Sequence, residues 1–315
     1  MASAWQSLMI ALARSSTLTR ILQGSPRIAS ISSQFLGGPN EDLALRTALA
    51  LRQQGIRVSM FFLGEYTSDR AATTQTIDSL IRVLTALSQN GLDAHISVDP
   101  TQIGFAISEE LGEGNALRLG TSFPEQRSKH SFLMLDMEDS SYVDSTIRLR
   151  SLLAGSGIPT AITLQAYLYR TESDLERLLE ARTPCIRLVK GAFSESASVA
   201  LRRHNEIFRA YMRMAELMLS DKAKASGLFP VFATHDERTI DSVLQLARNR
   251  GYLPGEYEFE MLHGVRHELQ TKLVAAGEQL RIYLPYGTHW WPYTARRIGE
   301  NARNLAFVFR AILSI

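Results

Sequence analysis

The chain has 315 residues, 45% of them apolar and 21% charged, which suits a soluble globular protein and excludes a disordered or low-complexity class. Lys and Arg number 34 against 32 Asp and Glu, and a formal charge of +2 is too even for a nucleic-acid partner. No apolar run approaches the ~20 residues that span a bilayer, and the single cysteine, Cys185, excludes an internal disulfide and reads as a buried, inert thiol.

The first forty residues carry Arg14, Arg20 and Arg27, many serines, and no acid before Glu41. Two readings fit: an organelle-targeting segment, or short helices ("AWQSLMIALARS", "LTRILQGS") packed outside the domain, the second being the expectation. A secretory signal is not the expectation, because the "LMIALA" run is short and no basic residue precedes it. The expected organisation is one domain, with residues 1–55 a helical extension packed on a barrel of residues 56–315.

Eight short β-rich runs follow in order: 57–64, 93–99, 131–137, 159–166, 185–191, 229–234, 257–262 and 281–287. Between them lie segments with helical spacing of apolar residues, such as "ESDLERLLEA". Strands alternating with helices imply a parallel sheet, and eight units predict closure into a (β/α)8 barrel. The competitor is an open doubly wound sheet, which wants a Gly-rich phosphate turn after its first strand; "FFLGEYTS" is not one.

A barrel gathers its chemistry at the C-terminal ends of its strands. Those ends carry Glu65, Asp99, Asp136 with Glu138, Gln165, Lys190, Thr234 with His235, Leu262 and Tyr283, mostly polar residues closing apolar runs. After the eighth run comes "YLPYGTHWWPYTARRIGEN", where Tyr293, Arg296, Arg297 and Glu300 share one helical face. That polar face is predicted to look into a ligand pocket. Paired guanidiniums fork a carboxylate or phosphate; the bland alternative is surface ion pairs with Glu300 and Glu65. The aromatics Tyr283, Tyr286, Trp290, Trp291 and Tyr293 either wall a ligand or pack the helix on the barrel.

Lys190, ending "CIRLVKG", reads as a Schiff-base nucleophile or as a fixed cation beside an electron-rich cofactor. His263 and His267 stand four apart, but without a third ligand no metal is expected. A noncatalytic binding module remains a further class.

"LDMEDS", "LQAYLYRTESDLERLL", "RLVKGAF", "FATHD", "FEMLHGVR" and "YLPYGTHWWPYTARRIGEN" together resemble successive motifs of the proline dehydrogenases, from about Ser3 to the C-terminus. The resemblance is to the bacterial monofunctional type and implies a distorted (β/α)8 barrel with short N-terminal helices. It implies oxidation of L-proline to Δ1-pyrroline-5-carboxylate, with FAD taking the hydride and a membrane quinone reoxidising it. The implied location is cytoplasmic, peripheral at the inner face of the membrane, with the basic, Trp5-containing amino terminus a candidate contact.

Carried over by residue, the resemblance makes Asp136 and Arg187 the active-site pair. Arg296 and Arg297 would clamp the substrate carboxylate, with Glu300 holding them and Glu65 closing a gate through Arg296. Tyr283, Tyr293 and Leu262 would pack around the ring. Met137, Gln165, Arg187, Val189, Lys190, Gly191, Ala192, Thr234 and His235 match FAD-touching positions.

Two positions depart from the pattern. Phe193 stands where the family usually has tyrosine. Asp99 stands where the family generally has a lysine paired with the aspartate matching Asp136, which would bring two carboxylates together. Three expectations follow: proline oxidation relying on the arginine pair, oxidation of a related cyclic or secondary amine suited to an acidic wall, or flavin binding with little turnover.

Overall fold

The computed structural model describes residues 33–64, 69–291 and 293–295. The expected helices before residue 33, and Glu65, Arg296, Arg297 and Glu300, lie outside the described residues.

Each expected run meets a strand, and only the eighth starts one residue early: β1 Arg57–Phe62, β2 Ile96–Val98, β3 Leu133–Leu135, β4 Thr160–Gln165, β5 Cys185–Val189, β6 Phe229–Ala233, β7 Glu258–Leu262 and β8 Leu280–Tyr286. All pairs are parallel and neighbours follow sequence order, and β8 returns to β1 from Arg57↔Arg281 to Phe62↔Tyr286. Closure removes both sheet edges and rules out the open doubly wound alternative.

The helices cover the barrel: α1 Glu41–Gln53, α2 Arg70–Gln89, α3 Glu109–Thr121, α4 Val143–Gly155, α5 Thr171–Glu180, α6 His204–Met218, α7 Asp221–Ser226, α8 Glu237–Asn249 and α9 His267–Ala275. Their starts are written in the sequence. Asn40 accepts the Leu43 N–H at 3.0 Å and Asp69 accepts that of Ala71 at 3.0 Å, satisfying donors that the helix itself leaves open. On α2, Ile77, Leu80, Leu84 and Leu87 recur at helical spacing and are all fully buried.

Upstream of α1, the Gly37 N–H donates to the Pro285 carbonyl at 2.8 Å and the Gly287 N–H donates to the Gly38 carbonyl at 3.0 Å. The described end of the N-terminal region is therefore stitched to the C-terminal end of β8, and α1 lies against β1 and β8.

Side chains alternate across each strand. One set, including Val58, Ile96, Leu135, Ile162, Leu188 and Ile282, faces the helices and is at most 2% exposed. The other set fills the barrel, where a small apolar cluster of Phe132, Met134, Ala161, Cys185 and Val231 is accompanied by charges. At the N-terminal end, Arg281 hydrogen-bonds Glu258 at 2.5 Å, the Val58 carbonyl at 2.7 Å and Asp93 at 3.3 Å, while Arg57 reaches Glu258 at 3.3 Å. Burial opposes the Arg281 charge, but Glu258 and Asp93 outweigh it and hold the guanidinium firmly protonated. Above this, His95 and Ser59 meet at 3.0 Å and Ser59 and Ser97 at 2.9 Å, a chain of hydroxyls that leads upward to Arg187.

Candidate active site

Arg187 is the third residue of β5 and is 3% exposed. Its Nε and Nη2 fork onto the Thr163 hydroxyl at 3.0 and 2.8 Å, and Nη1 donates to Ser97 at 3.2 Å and to Glu260 Oε1 at 2.6 Å. Nη2 also makes a short contact with Asp136 Oδ1. The Tyr283 hydroxyl donates to the other Asp136 oxygen at 2.8 Å, and its ring centroid lies 5.5 Å from the Arg187 guanidinium carbon. Asp136, Arg187 and Tyr283 thus form one constellation, drawn from the tip of β3, β5 and β8. Tyr283, read as a strand tip in the sequence, sits mid-strand in β8 and faces inward.

Asp99 directly follows β2 and Asp136 directly follows β3, and the Asp136 N–H still donates to the Val98 carbonyl at 2.9 Å. The two acids therefore occupy neighbouring strand ends. The Asp99 N–H faces Gln102 Oε1 at 3.4 Å, in the π-helical turn Thr101–Phe105 that follows. Glu138, expected at the rim, is instead a buried clamp on that turn: it accepts the Thr101 N–H at 2.8 Å and hydroxyl at 2.7 Å. Its own carbonyl accepts the Gln165 carboxamide at 2.8 Å, which fixes a side chain that is 2% exposed.

On the adjoining tips, the Lys190 ammonium pairs with Asp236 at 3.3 Å. Burial would raise the Asp236 carboxyl, but the Thr239 hydroxyl and Lys190 outweigh it and hold it below the usual carboxylate range. His235 Nε2 accepts the Leu262 N–H at 2.8 Å, so its neutral ring carries the proton on Nδ1. Thr234 is buried beside it, and its hydroxyl accepts the Asp236 N–H at 3.2 Å. Beyond Val189 the backbone turns at Gly191 (φ 107°), where a Cβ would lie 2.1 Å from the Tyr167 ring; only glycine passes there. Ala192 is exposed, Leu262 half-buried, and Met137 is buried within the apolar core.

The aromatic segment divides. Tyr286 faces outward, bonded to Ser79 at 3.0 Å and packed edge-on against Phe62, so for it the packing alternative holds. Trp291 and Tyr293 are 2% and 4% exposed and are helical in the last described stretch of the chain. Among the described residues, no group of three or more His, Cys, Asp or Glu is arranged to hold a metal ion.

Sequence reasoning missed Glu260, Ser97 and Thr163. The signal was their parity: Glu260 alternates with Leu262, and Ser97 with Asp99, so each shares the inward face of a residue that had been singled out.

Fold and rim together define a (β/α)8 barrel with an enzyme-type site at the C-terminal ends of its strands. Residues 44–310 match the family model described as proline dehydrogenase. The chain is 35% identical over 289 residues to the proline dehydrogenase of Deinococcus radiodurans, covering 90% of each. It is 31% identical over 282 residues to proline dehydrogenase 2 of Bacillus subtilis strain 168, covering 89% of this chain and 90% of that one. Proline utilization A (PutA) from Bdellovibrio bacteriovorus superposes with a TM-score of 0.76 at 20% identity, a likeness of fold, over 93% of this chain and 36% of that longer one. The chain belongs to the proline dehydrogenase family.

Proposed function

We propose that this protein oxidises L-proline to Δ1-pyrroline-5-carboxylate with FAD as cofactor and a membrane quinone as final acceptor. The observation that carries this reading is the Asp136–Arg187–Tyr283 constellation at the barrel mouth, in a chain whose Deinococcus and Bacillus relatives are named proline dehydrogenases. In this reading residues 56–315 are the catalytic barrel and residues 1–55 an extension packed on it.

The donor set fits the cofactor. A lysine cation, a hydroxyl and an imidazole N–H stand on the β5 and β6 tips, the chemistry required by an electron-rich ring and its phosphates. Gln165, Arg187, Val189, Lys190, Gly191, Ala192, Thr234 and His235 would hold FAD, with Met137 behind them; when bound, FAD accepts the hydride. Proline must shed its ammonium proton before the nitrogen lone pair can expel hydride from the adjacent ring carbon. Leu262, Tyr283 and Tyr293 would flank the ring, Asp136 would hold Tyr283 through its hydroxyl, and Arg296 and Arg297, steadied by Glu300 and gated by Glu65, would take the carboxylate.

A second reading, a related cyclic or secondary amine as substrate, is favoured by the acidic neighbours Asp99 and Asp136. Anaerobic addition of L-proline and of pyrrolidine to the purified yellow protein separates the two. Bleaching of the flavin by L-proline at lower concentration supports the first reading, the reverse order supports the second, and an unchanged spectrum with both sinks the dehydrogenase assignment. Asp99→Lys is expected to raise kcat/KM for proline, and unchanged or lower activity counts against an acidic wall at that position. The Schiff-base alternative is disfavoured by the Lys190–Asp236 ion pair, and borohydride with substrate is expected to trap no adduct. No helix among the described residues is long and apolar enough to cross a membrane. In this reading the quinone is reached by peripheral docking at the inner face, with the sequence around Trp5 the candidate contact.

A further inference from the structure

The Arg187 guanidinium has five N–H bonds, and five contacts account for them: two to Thr163, one each to Ser97, Glu260 and Asp136. Its plane is thereby fixed from three directions. Thr163 holds it along one edge, Glu260 from β7 pulls Nη1, and Asp136 from the β3 tip receives Nη2. Thr163 and Ser97 are neutral, so Asp136 and Glu260 are the acids that meet the guanidinium, and burial pushes the Glu260 carboxyl up against the pull of Arg187. Glu260 is 2% exposed, accepts at Oε1 alone, and its Oε2 is buried with no hydrogen-bond partner. A carboxylate held in that way is costly to bury. Leucine or methionine of similar volume would fill the same place without the cost. Arg187 in turn stands beneath the Tyr283 ring, and Asp136 holds the Tyr283 hydroxyl, so any tilt of the guanidinium moves both groups at the mouth of the pocket.

We propose that Glu260 is a positioning residue of the active site: it shares Arg187 with Asp136, and so sets the direction in which Asp136 and Tyr283 meet the substrate. This inference rests on the proline-oxidising reading for its kinetic consequence, but the sharing of Arg187 is a property of the fold and is measurable apart from turnover.

The test has two arms on the holoenzyme. In the kinetic arm, Glu260→Gln keeps an oxygen that accepts from Nη1, whereas Glu260→Leu cannot accept. Glu260→Leu is expected to lower kcat/KM for L-proline about a hundredfold, the loss that a small misplacement of reacting groups produces, while Glu260→Gln stays within about fivefold, since the hydrogen bond that sets the direction is retained. Equal losses in the two variants, or none in Glu260→Leu, overturn the positioning role. In the stability arm, Tm is measured for Glu260→Gln, Asp136→Asn and their combination. Either carboxylate alone can neutralise Arg187, so each single variant is tolerated and the double variant loses more than the sum of the two. An additive double variant overturns the sharing of Arg187, even if Glu260→Leu fails to fold. Should the wild type not respond to L-proline at all, the functional reading falls, and the Tm cycle still decides whether Glu260 and Asp136 share one cation.

Discussion

Two charged layers sit inside this barrel, and they differ in what they face. The lower one, Arg57, Asp93, Glu258 and Arg281, closes the N-terminal end: Arg281 and Glu258 are each 1% exposed. Arg281 also caps a backbone carbonyl, and none of its four residues belongs to the tips. The upper one, Asp136, Arg187 and Glu260 with the hydroxyl of Tyr283, likewise pairs arginine with carboxylates but opens on the mouth. Asp136 is 8% exposed and Tyr283 half-buried, and the β5 and β6 tips with Lys190, Thr234 and His235 stand around it. Similar chemistry serves two purposes in the proposed reading: below it seals a barrel whose interior is polar, and above it orients groups toward the substrate. Burial alone does not distinguish the two layers; direction does.

That contrast can be broken by mutation. Arg281→Met leaves Glu258 and Asp93 without their central cation. Breaking a buried pair from one side costs about 3–5 kcal/mol, so the denaturation midpoint should fall steeply, while the protein that remains folded keeps its substrate KM. A lost KM with an unchanged midpoint would reverse the roles assigned to the layers.

Histidines beside the lower layer make the second prediction. Burial holds His95 well below its ordinary value, and burial aided by Arg57 holds His130 down at about 4. A base whose pKa is depressed by folding contributes its full share above the unfolded value of about 6.5 and loses it as pH falls. Between pH 6.5 and 4, protonation of His130 draws stability down, by an amount that solvent screening of this partly buried ring reduces. Chemical denaturation over that range should show stability falling with acid, and His130→Phe should flatten the slope; a slope indifferent to that change contradicts the burial of this ring. The smallest effect is at Cys185, which is 1% exposed and whose thiol is pushed well up by burial. A thiol reagent should find no cysteine in the native protein and one after denaturation, whereas rapid native labelling would show a barrel interior open to solvent.

How much of this was legible in the sequence follows from the range of each interaction. Strand order and closure were legible because apolar runs and helical spacing are local patterns, and eight of them leave little topological choice. Ends were less so: "DAHISVD" yields a strand over Ile96–Val98 alone, since the His95 N–H folds back onto the Asp93 carbonyl at 2.8 Å instead of joining the ladder. Asp136, Arg187, Lys190, Thr234 and His235 stood out because they close or interrupt apolar runs and matched family motifs. Glu260 escaped because its meaning depends on Arg187, 73 positions away, and on which face of β7 turns inward. Glu138 was misread for the same reason: position after a strand indicated the rim, but its partner Thr101 draws it under the β2 turn.

The division between a structural and a functional layer is tested most directly by the rate of flavin reduction when L-proline is mixed anaerobically with wild type, Asp136→Asn and Arg281→Met, each below its unfolding temperature. The account predicts rapid bleaching in the wild type and in Arg281→Met, and a rate about a hundredfold lower in Asp136→Asn. Equal rates in the wild type and Asp136→Asn, or a loss confined to Arg281→Met, would contradict it.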